Sequence, residues 1–174
     1  MRLPRLLPLL VMIAATAPAR AEISEQSESG FTVSFKQRVA ATPDQVWAAL
    51  VQPSRWWSKD HSWSNDAKNF SLDPQAGGCF CERWGGNSVE HARVIFVKPG
   101  AQLRLSGALG PLQGEALTGV LTFSLKADGK ATIITADYVV GGHARFPLKD
   151  VASAVDGVIG AQVKTLAGLF PPAG

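Results

Sequence analysis

Cysteine is scarce in these 174 residues: Cys79 and Cys81 are the only two. Their Cys-x-Cys spacing is not that of a structural zinc site. Even with His91 on the same strand face, a set of Cys79, Cys81 and His91 lacks a fourth ligand. The glycine-rich stretch Gly107 to Gly114 holds no lysine and does not join a strand to a helix, so it is not a phosphate-binding loop. Nucleophile elbow, HExxH and carboxylates paired at fixed spacing are all missing. No metal and no cofactor is called for. No internal repeat, low-complexity block or linker divides the chain.

Long apolar runs are also lacking. The longest, Leu6 to Ala15, is about half of the roughly 20 residues that span a bilayer. It follows Arg2 and Arg5 and precedes the small residues Ala17, Ala19 and Ala21, the order of a secretory signal peptide cleaved after Ala19 or Ala21. We expect residues 1–21 to be that signal, 22–30 a flexible lead-in, 31–170 one domain and 171–174 a frayed tail. Export to the periplasm or beyond follows. Removing residues 1–21 takes away Arg2, Arg5 and Arg20 and no acid, which leaves 14 basic residues against 14 acidic ones. A near-neutral domain has no electrostatic footprint for nucleic acid, and the mature chain carries no transmembrane segment.

What is present is a clear order of elements. Phe31, Val33, Phe35 and Val39 alternate with polar residues, which is a half-buried strand. Thr42, Pro43, Asp44 and Gln45 open a helix with a capping box, and Val46, Trp47, Leu50 and Val51 form its apolar stripe. A polar, aromatic-rich connector covers residues 54–69, with a second short helix expected around Arg55 to Lys59. From Phe70 to Val140 strand follows strand, with turns at Gly85-Gly86-Asn87, Pro99-Gly100 and Asp128-Gly129. Short connections imply antiparallel pairing. Apolar residues from Val151 to Phe170 recur at helical spacing over about 30 Å. Gly157, Gly160 and Gly168 interrupt that helix, each at a cost of up to ~1 kcal/mol against alanine. Such costs suggest that the helix needs space beside it, for a closely approaching sheet or for a cavity.

Several side chains carry potential chemistry. Cys79 and Cys81, two apart on a strand, would have Cα atoms about 6.5–7 Å apart, at or beyond the reach of a relaxed disulfide. Free thiols are expected, with a bridged pair as the alternative. If the hairpin pairs residue 84 with 88, Cys81 lies opposite His91. Phe80, Glu82 and Trp84 share one strand face. Were that face to look into a cavity, Glu82 would be a carboxylate among rings, its pKa raised by burial and suited to proton transfer or to anchoring a ligand. An ion pair with Arg93 or Arg104, or plain exposure, is the other reading. Trp47 belongs to the core. Trp56 and Trp57, being adjacent, are not both expected to point inward. Trp57 and Trp63 can rim a cavity mouth, and Tyr138, alternating with Asp137, is the better inward candidate. His61 and His143 fall in loops, and the 107–114 loop reads as a flap over a pocket.

The order of strand, capped helix, short second helix, sheet meander and long C-terminal helix resembles the SRPBCC superfamily, the helix-grip fold of START-like, birch-pollen-allergen-like and polyketide-cyclase proteins. Ala41-Thr-Pro-Asp-Gln-Val-Trp47, Trp56-Trp57, Gly77-Gly78, Val97-Lys-Pro-Gly100 and Leu103-Arg-Leu105 carry the resemblance, which covers residues 31–170. Within the superfamily the chain looks nearest to the polyketide-cyclase and Hsp90-ATPase-activator-like branch. The resemblance implies an α+β architecture: a curved antiparallel sheet of six to seven strands gripped by one long helix, with two short helices after the first strand and an apolar cavity between. An exported chain would meet no cytosolic chaperone, so no chaperone partner is expected.

Two functions follow as expectations. One is a non-catalytic binder of a small apolar or amphipathic molecule, with Trp57, Trp63, Phe80, Glu82, Trp84, Arg104, Tyr138 and Gly157 as its contacts. The other is a cyclase, dehydrase or hydrolase with Glu82 as general acid/base. A third reading, an interaction domain, would need an extended exposed apolar patch instead of an enclosed cavity.

Overall fold

A computed structural model describes residues 22–173; the expected export signal, residues 1–21, and Gly174 lie outside the described residues. Eight strands form one antiparallel sheet: β1 Glu22–Ser24, β2 Gly30–Val39, β3 Phe70–Leu72, β4 Cys79–Trp84, β5 Asn87–Lys98, β6 Gln102–Ser106, β7 Ala116–Asp128 and β8 Ala131–His143. Their spatial order is β1-β2-β8-β7-β6-β5-β4-β3. Helix α1 spans Pro43–Leu50 and α2 spans Lys149–Ala167. This is the α+β helix-grip architecture, with two short strands, β1 and β3, added at the sheet edges.

Local chemistry sets the boundaries. The Thr42 backbone N–H donates to Gln45 Oε1 at 2.8 Å, and the Gln45 N–H donates to Thr42 Oγ1 at 3.3 Å. The capping box thus satisfies two N–H groups that the first turn leaves unpaired. Asp128 pairs with Ala131 across a tight turn in which Gly129 takes φ +62°. The inward residues Phe31, Val33 and Phe35 of β2, Leu103 and Leu105 of β6, and Leu121 and Phe123 of β7 form the buried core with Ile159, Val163 and Leu166 of α2. A smaller cluster of Val39, Val46, Leu125 and Ile134 lies beneath α1.

Four expectations change here. Residues 22–30 are tied down: Ile23 pairs with Val33, and the Leu148 N–H donates to the Glu28 carbonyl at 3.0 Å. The tail is likewise paired, with Pro172 bridging to Val39. The second short helix is replaced by separate single 3-10 turns at Pro53–Arg55 and Lys59–His61. Trp56 and Trp57 are both buried, at 4% and 5% exposure. They sit on a turn, where successive side chains need not oppose each other as on a strand, and their rings meet edge to face at 5.6 Å. Trp47 is half-buried between the two clusters.

The hairpin register also differs. A two-residue turn pairs Trp84 with Asn87, so Cys81 lies opposite Glu90; beyond it the ladder slips and Phe80 lies opposite Ala92. His91 is therefore the extra residue of a β-bulge. A regular strand would have put it on the face opposite Ala92, but the bulge leaves both buried, at 3% each. A second irregularity between Val94 and Phe96 leaves Ile95 and Phe96 both exposed on the outer face.

Cys79 and Cys81 form a disulfide, with Cα atoms 5.3 Å apart. The free thiols expected from ideal strand spacing are corrected. At 5.3 Å the stretch from Cys79 to Cys81 is shorter than a fully extended strand would make it.

Candidate ligand-binding cavity

Helix α2 does not pack evenly on the sheet. At Gly160 it lies so close that an added Cβ would stand 2.7 Å from the Phe35 ring. Toward the helix N-terminus, side chains separate it from the sheet, and a cavity of about 620 Å³ opens there. Val151, Val155, Val158 and Ile159 of α2 form one wall. Trp57 and residues 60–63 of the connector form a second, residues 109–112 a third, and His91 of β5 and Tyr138 of β8 close the buried end. The volume lies within the range of small-molecule sites. The glycine expectation is thus divided: Gly160 marks filled space, and Gly157 faces open space on the outside of the helix.

Of the loop expected to form a flap, residues 109–112 line the cavity, and Tyr138 pins the start of the loop. Its hydroxyl donates to the Gly107 carbonyl at 3.1 Å and accepts from the Leu109 N–H at 2.9 Å. Gly119 makes this possible, because a Cβ there would collide with the Gly107 carbonyl and the tyrosine ring. Burial pushes the Tyr138 hydroxyl up to about 12, against the opposing Leu109 hydrogen bond.

Glu82 is fully buried, but its carboxylate sits behind the cavity wall. It accepts from the Trp63 N–H at 3.0 Å and the Ser64 N–H at 2.6 Å, and it lies 3.0 Å from His91 Nε2. Burial pushes its pKa up, but the Ser64 side chain, the two backbone N–H groups and His91 outweigh that and hold it below the usual value. The expected direction of its pKa is therefore reversed. Glu82 positions the connector and His91.

His91 is the polar residue of the buried end that sequence reasoning left out, because the bulge that turns it inward has no signature in the alternation pattern. Its ring packs against both Phe70 and Phe80, with centroids at 5.0 and 5.3 Å, and those two rings stack on each other at 5.6 Å. Burial lowers its pKa, against the pull of Glu82 in the other direction. A neutral ring beside a carboxylate places its proton on Nε2.

Of the other expected contacts, Trp57 and Trp63 line the cavity, Trp57 buried with its Nε1–H donating to the His61 carbonyl at 3.0 Å and Trp63 half exposed at the rim. Phe80 is corrected to a supporting role, since it packs behind Trp57 at 5.1 Å. Trp84, at the end of β4, does not line the cavity. Arg104 is on the outer face, hydrogen-bonded to Thr122 and lying over the Phe96 ring. Neither arginine weighed as a partner for Glu82 reaches it, Arg93 pairing with Glu90. Among the described residues no group of three or more His, Cys, Asp or Glu could hold a metal ion, and no helix is long and apolar enough to cross a membrane.

The sequence matches no protein-family model and no curated protein. Solved structures match it well in shape. CalU16 from Micromonospora echinospora aligns at TM-score 0.60 with 16% identity, over 88% of this chain and 84% of that one. Protein CV1439 from Chromobacterium violaceum aligns at 0.57 with 17% identity, over 82% and 98%. The Aha1 dimer from Colwellia psychrerythraea aligns at 0.55 with 15% identity, over 80% and 95%. At these identities the likeness shows the shared fold and nothing finer.

Proposed function

We propose that this chain is an exported, non-catalytic binder of a small apolar or amphipathic molecule held between α2 and the sheet. The observation that carries the reading is the apolar-walled cavity of about 620 Å³. Val, Ile, Leu, Phe and Trp side chains make up most of its walls, beside a few polar residues, and favour an apolar guest. Burying ~300 Å² of guest surface there would contribute about 7 kcal/mol before association costs. After those costs, affinity falls in the micromolar range. The signal-like order of residues 2–21 supports export. The fold shared with CalU16 and Aha1 is compatible with such a site but names no ligand.

Native mass spectrometry of the protein purified from its exported fraction tests this. The expected result is a lipid-like adduct that organic extraction removes. A clean ligand-free mass from several expression conditions would contradict it. The catalytic alternative has Glu82 as general acid/base, and the binding reading is favoured over it because that carboxylate does not line the cavity.

A further inference from the structure

From the buried polar groups of the cavity, we infer that its guest is an apolar molecule bearing a neutral hydroxyl, an alcohol or a phenol, which donates to His91 Nδ1. The inference rests on the binding reading above and specifies its ligand class.

The argument is an inventory of donors and acceptors at the buried end. The Tyr138 hydroxyl already donates to Gly107 and accepts from Leu109. The Trp57 N–H is spent on the His61 carbonyl. His91 Nε2 is spent on Glu82. Nδ1 has no hydrogen-bond partner among the described residues. It is not sealed either, since Asp156 Oδ1 is the one sealed side-chain N or O atom without a partner there. The ring lines the cavity, so Nδ1 opens onto it.

With the ring proton on Nε2, Nδ1 is an acceptor only. A guest that seats its polar end there must bring a donor. A carboxylate brings none and would add a second anion beside buried Glu82, whereas an ammonium group would lose its hydration in an apolar site. A neutral hydroxyl meets the need without either cost. Asp60 and His61 also line the cavity but are exposed, and remain available to water.

The test is displacement of diphenylhexatriene, a fluorescent hydrocarbon with no donor or acceptor, by 1-decanol, decyl methyl ether and decanoate at pH 7.5. Decanol should displace it about tenfold more tightly than the ether, the worth of one hydrogen bond in a dry site, with decanoate weaker still. In His91→Phe the ratio of alcohol to ether affinity, read against whatever affinity the hydrocarbon retains, should fall to one. Because that variant disturbs Glu82 as well, the wild-type series stands as the independent readout. Equal displacement by alcohol and ether, or tightest binding of decanoate, overturns the inference and leaves the cavity reading intact. If neither the hydrocarbon nor any of the three compounds binds, the cavity reading itself falls.

Discussion

Glu82 and His91 stand 3.0 Å apart, carboxylate to Nε2, on neighbouring strands where the ladder slips by one residue. The slip turns His91 toward the cavity, and Glu82 fixes the tautomer of its ring. A buried carboxylate that also takes two connector N–H groups makes one rigid unit of β4, β5 and the wall at residues 63 and 64.

Acid should weaken the fold in two stages. The folded pKa of His91 lies below its ordinary 6.5 and that of Glu82 below its ordinary 4.5. In both cases the unfolded chain binds the proton more readily, so stability present above the unfolded value is lost as pH falls toward the folded one. Asp156, raised by burial, acts in the opposite sense near the carboxylate range. The window below pH 6.5 and above the carboxylate range therefore belongs to His91. Urea unfolding at half-unit intervals should show stability level above pH 7 and declining through that window.

Replacing Glu82 by glutamine should cost about 1–3 kcal/mol, because an amide cannot accept from Trp63, Ser64 and His91 as a carboxylate does. Hydrogen exchange at the Trp63 and Ser64 amides should speed up with it. An unchanged midpoint and unchanged exchange would show that the carboxylate does not hold the connector.

Tyr138 is the sole tyrosine of the chain, so tyrosinate absorbance reports one buried hydroxyl. Its folded pKa of about 12 exceeds the ordinary value of 10. The stability tied to it is present below pH 10 and lost as pH rises toward 12. Spectrophotometric titration should show little tyrosinate at pH 10.5 in the folded protein and a normal curve in urea.

Two glycines of α2 should respond in opposite directions. Gly157→Ala meets nothing within 4 Å and should stabilise by ~0.5–1 kcal/mol. Gly160→Ala meets the Phe35 ring and should destabilise by about 1–3 kcal/mol. Thermal melts of the two variants decide the matter.

These elements divide what was readable in the sequence from what was not. The Thr42–Gln45 box, the Asp128-Gly129 hairpin and the stripe of α2 are local patterns, and each stands where its chemistry places it. The expected fold, and with it the apolar cavity under α2, came from the resemblance that the order of such elements carries. The inward turn of His91 was hidden, because a bulge breaks the two-residue alternation on which strand faces are read. The 5.3 Å between the Cα atoms of Cys79 and Cys81 was hidden as well, because ideal strand spacing sets them farther apart. Gly157 and Gly160 looked alike in sequence because helical spacing does not say which side of the helix meets a ring.

The most direct measurement is the nitrogen-15 NMR spectrum of the His91 ring at pH 7.5, with and without 1-decanol. The account predicts a neutral ring protonated on Nε2, and an Nδ1 resonance that moves when the alcohol binds. A cationic ring, a proton on Nδ1, or an Nδ1 signal indifferent to the bound alcohol would contradict it.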